Sequence, residues 1–311
     1  MVEIKNLVKR YDDLIALDHL NLEIKEGEIF GLLGPNGSGK STAINCILSL
    51  LKYDKGEINI FNKPMRPNSY DIKKDIGIVM QNVAVIDGLT VYENIDYFCG
   101  LYVTDKEKRK KLIDEAIDFV GLNEFSKMKP KKLSGGLLRR LNIACGIAHK
   151  PRLIMMDEPT VAVDPQSRNN ILDGIKKLNS EGATIIYTSH YMEEVEQLCT
   201  KIAILDNGRV IALGTKEELK SLISTGEIIV VEAYNLTEMH LKDIREFPHL
   251  MDISYLNNKL TLRFKSDKSC LVNIINYIES KEIVYGKIYS EQPTLNDVFL
   301  QLTGKVLRNN V

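Results

Sequence analysis

One stretch constrains this chain more than any other: Gly34-Pro35-Asn36-Gly37-Ser38-Gly39-Lys40-Ser41-Thr42, set between the apolar run Ile29-Phe30-Gly31-Leu32-Leu33 and Ala43-Ile44-Asn45-Cys46-Ile47-Leu48. A buried strand, a glycine-rich turn and a helix, in that order, are the context in which G-x-x-x-x-G-K-[ST] binds phosphate. Glycines let successive backbone N–H groups curl around an anion at a helix N-terminus, where the helix dipole already favours negative charge. In that geometry Lys40 reaches the β- and γ-phosphates and the Ser41 hydroxyl ligates Mg²⁺. Alone, the motif says nucleoside triphosphate and nothing more.

A chain of 311 residues is long enough for one large domain and a second, smaller one. Its formal net charge of -1 offers no electrostatic footprint for nucleic acid. The cysteines Cys46, Cys99, Cys145, Cys199 and Cys270 are far apart and form no C-x-x-C pair. They read as thiols of a reducing compartment, not as a metal site or a disulfide framework. The first residues, Met1-Val2-Glu3-Ile4-Lys5-Asn6, lack the apolar segment of a signal peptide, and no apolar run reaches membrane-spanning length. A role at a membrane therefore requires another chain to cross it.

Up to the phosphate loop the chain alternates apolar and polar positions, in Val2-Glu3-Ile4-Lys5-Asn6-Leu7 and in Leu20-Asn21-Leu22-Glu23-Ile24, as half-buried strands do. Tyr11 lies between them; it reads either as a base-stacking aromatic or as a plain strand end. Asp75-Ile76-Gly77-Ile78-Val79-Met80-Gln81 is a buried strand whose last residue, Gln81, stands where open α/β sheets place ligand contacts, or is simply a solvated strand end. The strand pattern then lapses over about residues 82–150. Thr90 with Glu93 predicts a capping box, residues 106–120 an amphipathic helix, and the whole an inserted helical subdomain. Its two basic runs, Lys108-Arg109-Lys110-Lys111 and Lys127-Met128-Lys129-Pro130-Lys131-Lys132, read as solvated faces.

Leu133-Ser134-Gly135-Gly136 opens an apolar helix, a second helix N-terminus with exposed donors. The strand Leu153-Ile154-Met155-Met156 ends in Asp157-Glu158, and the strand Ala183-Thr184-Ile185-Ile186-Tyr187-Thr188-Ser189 ends in His190. Beside a phosphate loop, an aspartate at a strand end can hold Mg²⁺ and the adjacent glutamate can take a proton from the attacking water.

Taken in order, these motifs resemble the nucleotide-binding subunit of an ABC transporter over about residues 1–220. The likeness implies an α/β P-loop NTPase of ABC ATPase type: a mixed sheet core, an N-terminal antiparallel β part and an inserted helical subdomain. It further implies that Tyr11 stacks on adenine, that Gln81 senses γ-phosphate and Mg²⁺, and that Glu158 is the general base. His190 then contacts the γ-phosphate, and Asp164 belongs to the D-loop. In this family two subunits pair head to tail, so Ser134, Gly135 and Gly136 of one would close on ATP held by Lys40 of the other. The implied partners are a membrane permease on a separate chain and a second nucleotide-binding subunit, identical or not, at the cytoplasmic face of the membrane. Two departures stand out: Leu137 replaces the commonest Gln of the signature, and the D-loop reads Val161-Ala162-Val163-Asp164.

Residues 221–311 have a composition of their own. Strand and helix patterns in the order βαββαβ, with a hairpin turning at Asn257-Asn258, predict a small α+β ferredoxin-like domain. It ends in Pro293-Thr294-Leu295-Asn296-Asp297-Val298-Phe299-Leu300-Gln301-Leu302-Thr303-Gly304, which resembles the C-terminal segment of the bacterial drug-exporter branch. A soluble ATPase of the same family acting on DNA or ribosomes would carry coiled-coil insertions, zinc cysteines or two ATPase halves, and the sequence has none. A non-catalytic module gated by nucleotide differs from these in one measurable respect, the absence of turnover.

Overall fold

The computed structural model describes residues 1–161, 163–223, 226–265 and 269–303; Ala162 of the D-loop and Gly304 of the terminal motif lie outside them. The N-terminus forms a hairpin of β1 (Val2–Tyr11) and β2 (Leu14–Ile24). β3 (Ile29–Leu33), buried throughout, runs into the phosphate loop and α1 (Lys40–Ile47). Next come β4 (Lys55–Ile60), β5 (Lys63–Pro64), α2 (Tyr70–Lys73) and β6 (Ile76–Val79). One antiparallel sheet has the order β2-β1-β4-β5.

The inserted helices are α3 (Val91–Gly100), α4 (Lys106–Phe119) and α5 (Gly135–Ile147), closed around Ile95, Ile113, Ile117, Leu141 and Ala144. Thr90 and Glu93 make the expected capping box on α3. The basic run at 108–111 is less uniform than a solvated face, because Arg109 turns inward and donates to Asp96 at 2.7 Å.

The chain then alternates: β7 (Leu153–Asp157), α6 (Pro165–Ser180), β8 (Thr184–Ser189), α7 (Met192–Leu198), β9 (Lys201–Asp206) and β10 (Arg209–Gly214). The second sheet has the order β10-β9-β3-β8-β7-β6, parallel except for β10. A core of Leu7, Leu17, Phe30, Ile44, Ile47 and Ile186 joins both sheets to α1. Each such side chain contributes roughly 1.5–3 kcal/mol by burial. Packing therefore holds α1 in place, since its N-cap, Gly39, makes no side-chain cap.

A second compact unit begins at Glu217, within α8 (Lys216–Ser221). It continues through β11 (Glu227–Ala233), α9 (Glu238–Arg245), β12 (Leu250–Leu256), β13 (Lys259–Phe264), α10 (Leu271–Ser280), β14 (Tyr285–Glu291) and α11 (Leu295–Thr303). Its antiparallel sheet, β12-β13-β11-β14, has the ferredoxin-like strand order. Asn257 and Asn258 both have positive φ (51° and 61°), as the tight hairpin turn requires. The terminal motif, unassigned by periodicity, is helical as α11 and buries Leu295, Val298 and Phe299.

Candidate active site

Parallel register lines up the functional strand ends. Leu33 of β3 pairs with Ser189 of β8, and Thr188 with Asp157 of β7. The residues that follow each strand, Gly34, His190 and Glu158, therefore emerge on one edge, where parallel sheets bind ligands.

The phosphate loop is shaped for an anion by its backbone. Gly37 has φ +82°, with nothing within 4 Å of where a side chain would start. Gly39 has φ +106°, and a Cβ there would stand 2.6 Å from the Ala16 carbonyl oxygen. Because Gly39 offers no capping side chain, the first N–H groups of α1 are left for a ligand. Ser38 is 2% exposed, and its hydroxyl has no partner among the described residues.

Lys40 is 5% exposed and donates from Nζ to the carbonyls of Gly34 (2.8 Å) and Pro35 (3.1 Å). Burial pushes its pKa below the ordinary 10.5, against the opposing pull of Glu158 and Asp157. Asp157 is fixed by the Thr188 hydroxyl, which donates to Oδ1 at 2.6 Å.

Glu158 is the meeting point. Gln81 donates from Nε2 to its Oε2 at 3.2 Å; His190 Nδ1 lies 3.3 Å and Lys40 Nζ 3.8 Å from Oε1. Its φ of +47° is left-handed, a conformation that costs a non-glycine residue of order 1 kcal/mol or more. The Glu158 N–H compensates by donating to the Thr188 hydroxyl (3.0 Å) and carbonyl (3.2 Å).

Ser134 caps α5 by accepting from the Leu137 N–H at 3.3 Å. A Cβ on Gly136 would sit 3.4 Å from Asp164 Oδ2, so the signature abuts the start of α6. Asp164 caps α6, and the Ser167 N–H and hydroxyl hold its carboxyl below the ordinary 3.8. Among the described residues no hydrogen bond or ion pair joins Ser134 to the phosphate loop, Asp157, Glu158 or His190. Tyr11, 44% exposed at the end of β1, has Lys9 Nζ 4.9 Å from its ring centre.

Several contributors carry no motif. The loop after β6 is anchored by Arg139 and Asn142 of α5, which both donate to the Met80 carbonyl, at 3.0 and 3.3 Å. Asn94 accepts from the Ile86 N–H and donates to the carbonyls of Ile86, Leu89 and Thr90. A sequence cue existed in these polar residues on otherwise apolar helix faces, where a buried amide must find backbone partners.

The model of the family described as ABC transporter matches residues 17–161. Over 311 residues the chain is 39% identical to the linearmycin resistance ATP-binding protein LnrL of Bacillus subtilis (strain 168), covering 99% of this chain and 100% of that one. The chain belongs to the ABC transporter family. The methionine import ATP-binding protein MetN of Clostridioides difficile (strain 630) is 31% identical, covering 94% of this chain and 100% of that protein. The dimeric ATP-binding cassette MJ0796, in a post-hydrolysis state bound to ADP and Pi, superposes with a TM-score of 0.64 and 34% identity over 69% of this chain and 98% of that one. This ABC chain is an ATP-binding, ATP-hydrolysing subunit; such subunits work in pairs with a membrane permease. Among the described residues no helix is long and apolar enough to cross a membrane.

Proposed function

We propose that this chain is the ATPase of an exporter, sitting at the cytoplasmic face of the membrane beneath a permease made by another gene. The single observation that carries the chemistry is the convergence of Gln81, His190 and Lys40 on the Glu158 carboxylate. ATP is held by the backbone N–H groups between Gly34 and Thr42, Pro35 having none to give, and by Lys40, with the base against Tyr11. The buried hydroxyl of Ser38 and the open space over Gly37 fit a phosphate chain.

Asp157, Ser41 and Gln81 supply hard oxygen donors of the kind Mg²⁺ prefers, and would hold it. Bound there, the ion neutralises phosphate charge. Glu158 takes the proton of the attacking water, and His190, in contact with the same carboxylate, steadies it and faces the γ-phosphate. Ser134, Gly135, Gly136 and Asp164 serve the nucleotide of the second subunit.

The outward direction is supported by full-length similarity to a drug-resistance protein, at higher identity than to the importer, and by the terminal segment now seen as α11. In the purified chain, Glu158→Gln should abolish ATP turnover while ATP binding survives. Unchanged turnover in that variant would show that another group is the base. Accumulation assays in cells carrying chain and permease should show substrate leaving on ATP hydrolysis; uptake would reverse the direction.

A further inference from the structure

Glu194, on α7, is a carboxylate outside every motif, and it is only 3% exposed. Its Oε2 accepts three hydroxyls: Tyr187 at 2.7 Å, Thr160 at 2.9 Å and Ser189 at 3.0 Å. Thr160 lies two residues beyond Glu158, and Ser189 immediately precedes His190. The other oxygen, Oε1, faces Arg168 Nε of α6 at 3.2 Å. Arg168 also lies over the Tyr191 ring, 4.7 Å from its centre, and that ring packs on His190 at 4.1 Å between centroids. One continuous stack thus runs from α6 through Arg168 and Tyr191 to His190.

The two contacts at the ends of this stack share a property. The Arg168–Glu194 atoms and His190 Nδ1 beside Glu158 are within ion-pair distance, yet among the described residues none of the three makes an aligned hydrogen bond. Catalytic contacts that are close but misaligned without substrate tighten in the reacting complex. α6 starts at Asp164, against Gly136 of the signature, so pressure on that pair of helix ends bears directly on Arg168.

We propose that Arg168, Tyr191 and Glu194 form a positioning clamp that transmits the seating of α6 to His190 and, through it, to Glu158. None of the three touches nucleotide; each acts through the orientation of His190 and of the segment around Thr160. This rests on the assignment of Glu158 and His190 to the hydrolytic step. Tyr191 is the informative member, because it is part-exposed and its hydroxyl plays no part in the stack. Glu194 is so enclosed that its loss also threatens folding.

The test measures kcat, KM and equilibrium binding of a fluorescent ATP analogue for the full-length chain and its variants. Tyr191→Ala should lower kcat by about 10- to 100-fold, the scale of a roughly 1 Å misplacement, with nucleotide affinity within about threefold of the unaltered chain. Tyr191→Phe should restore kcat, because the ring and not the hydroxyl makes both contacts. Arg168→Lys keeps the charge but loses the planar stack, and should fall with Tyr191→Ala. Combining Arg168→Ala with Tyr191→Ala should cost no more than either alone, as members of one stack must. A Tyr191→Ala chain with normal kcat, or a Tyr191→Phe chain as slow as the alanine variant, would overturn the clamp. If instead the unaltered chain fails to hydrolyse ATP, the functional reading falls and not the clamp alone.

Discussion

The surroundings of Glu158 fit the proton-transfer role proposed for it more than a stabilising one: it faces a lysine, a histidine and a glutamine at once, and breaking even with desolvation is the most that buried ion pairs usually achieve. Glu158 and its neighbours were legible in the sequence because each closes a strand or opens a helix within a motif. Thr188 was not, although it supports both carboxylates, donating to Asp157 and accepting from the Glu158 N–H. Nothing in a central strand position distinguishes a threonine that packs from one that orients a ligand. Thr188→Val should therefore cost about 1–3 kcal/mol, through a buried carboxylate oxygen left without its donor. A lowered melting temperature together with reduced turnover would bear this out, whereas loss of turnover at unchanged stability would assign Thr188 a direct chemical part.

At the scale of elements, signals carried by local chemistry translated well: the Thr90 capping box, the Ser134 cap and the Asn257-Asn258 hairpin. The N-terminal hairpin was harder to read, since β1 and β2 reach as far as Tyr11 and Leu14 through several register shifts. Each shift moves the apolar side chains to the other face and so breaks the alternation by which strands are recognised. In the second unit, Glu227 at the head of β11 is 7% exposed. Burial alone would raise its carboxyl; hydrogen bonds from the Ser269 and Ser290 hydroxyls and the Cys270 N–H outweigh this and hold it below the ordinary 4.5. The folded state thus binds this proton less readily than the unfolded chain. Its stabilising contribution is complete above the unfolded value and disappears as pH falls through the lower, folded one. Acid titration followed by near-ultraviolet circular dichroism of the tyrosines should show this unit loosening below about pH 4.5, and Glu227→Gln should flatten that part of the curve. An identical acid transition in the variant would place the sensitive group elsewhere.

For the whole molecule, the order of motifs gave the fold class away, because each marks a strand end and parallel register assembles those ends without further information. What the order could not show is which groups meet within one chain. Gln81, separated from Glu158 by a whole helical insertion, reaches it; Ser134 spends its hydroxyl on its own helix, and among the described residues no hydrogen bond or ion pair joins it to the loop. This fits the proposal that the signature serves a second copy or a related subunit. Gly135 offers a clean probe, since among the described residues a Cβ there meets nothing within 4 Å. Gly135→Val should fold with an unchanged melting temperature and bind ATP, yet should not pair when combined with Glu158→Gln in the presence of ATP. Light scattering that still reports a dimer for this combination would move the pairing surface away from the signature.

The left-handed backbone of Glu158 also bears on how such a chain ages under mutation. Glycine would relieve that conformation, worth about 1 kcal/mol, while deleting the carboxylate. With Glu158 as the proposed base, drift toward a more robust fold and drift toward a dead enzyme would be the same step at this position. Under the same proposal, a lineage selected only for abundance would have a short route to a well-folded subunit that captures ATP and does not spend it.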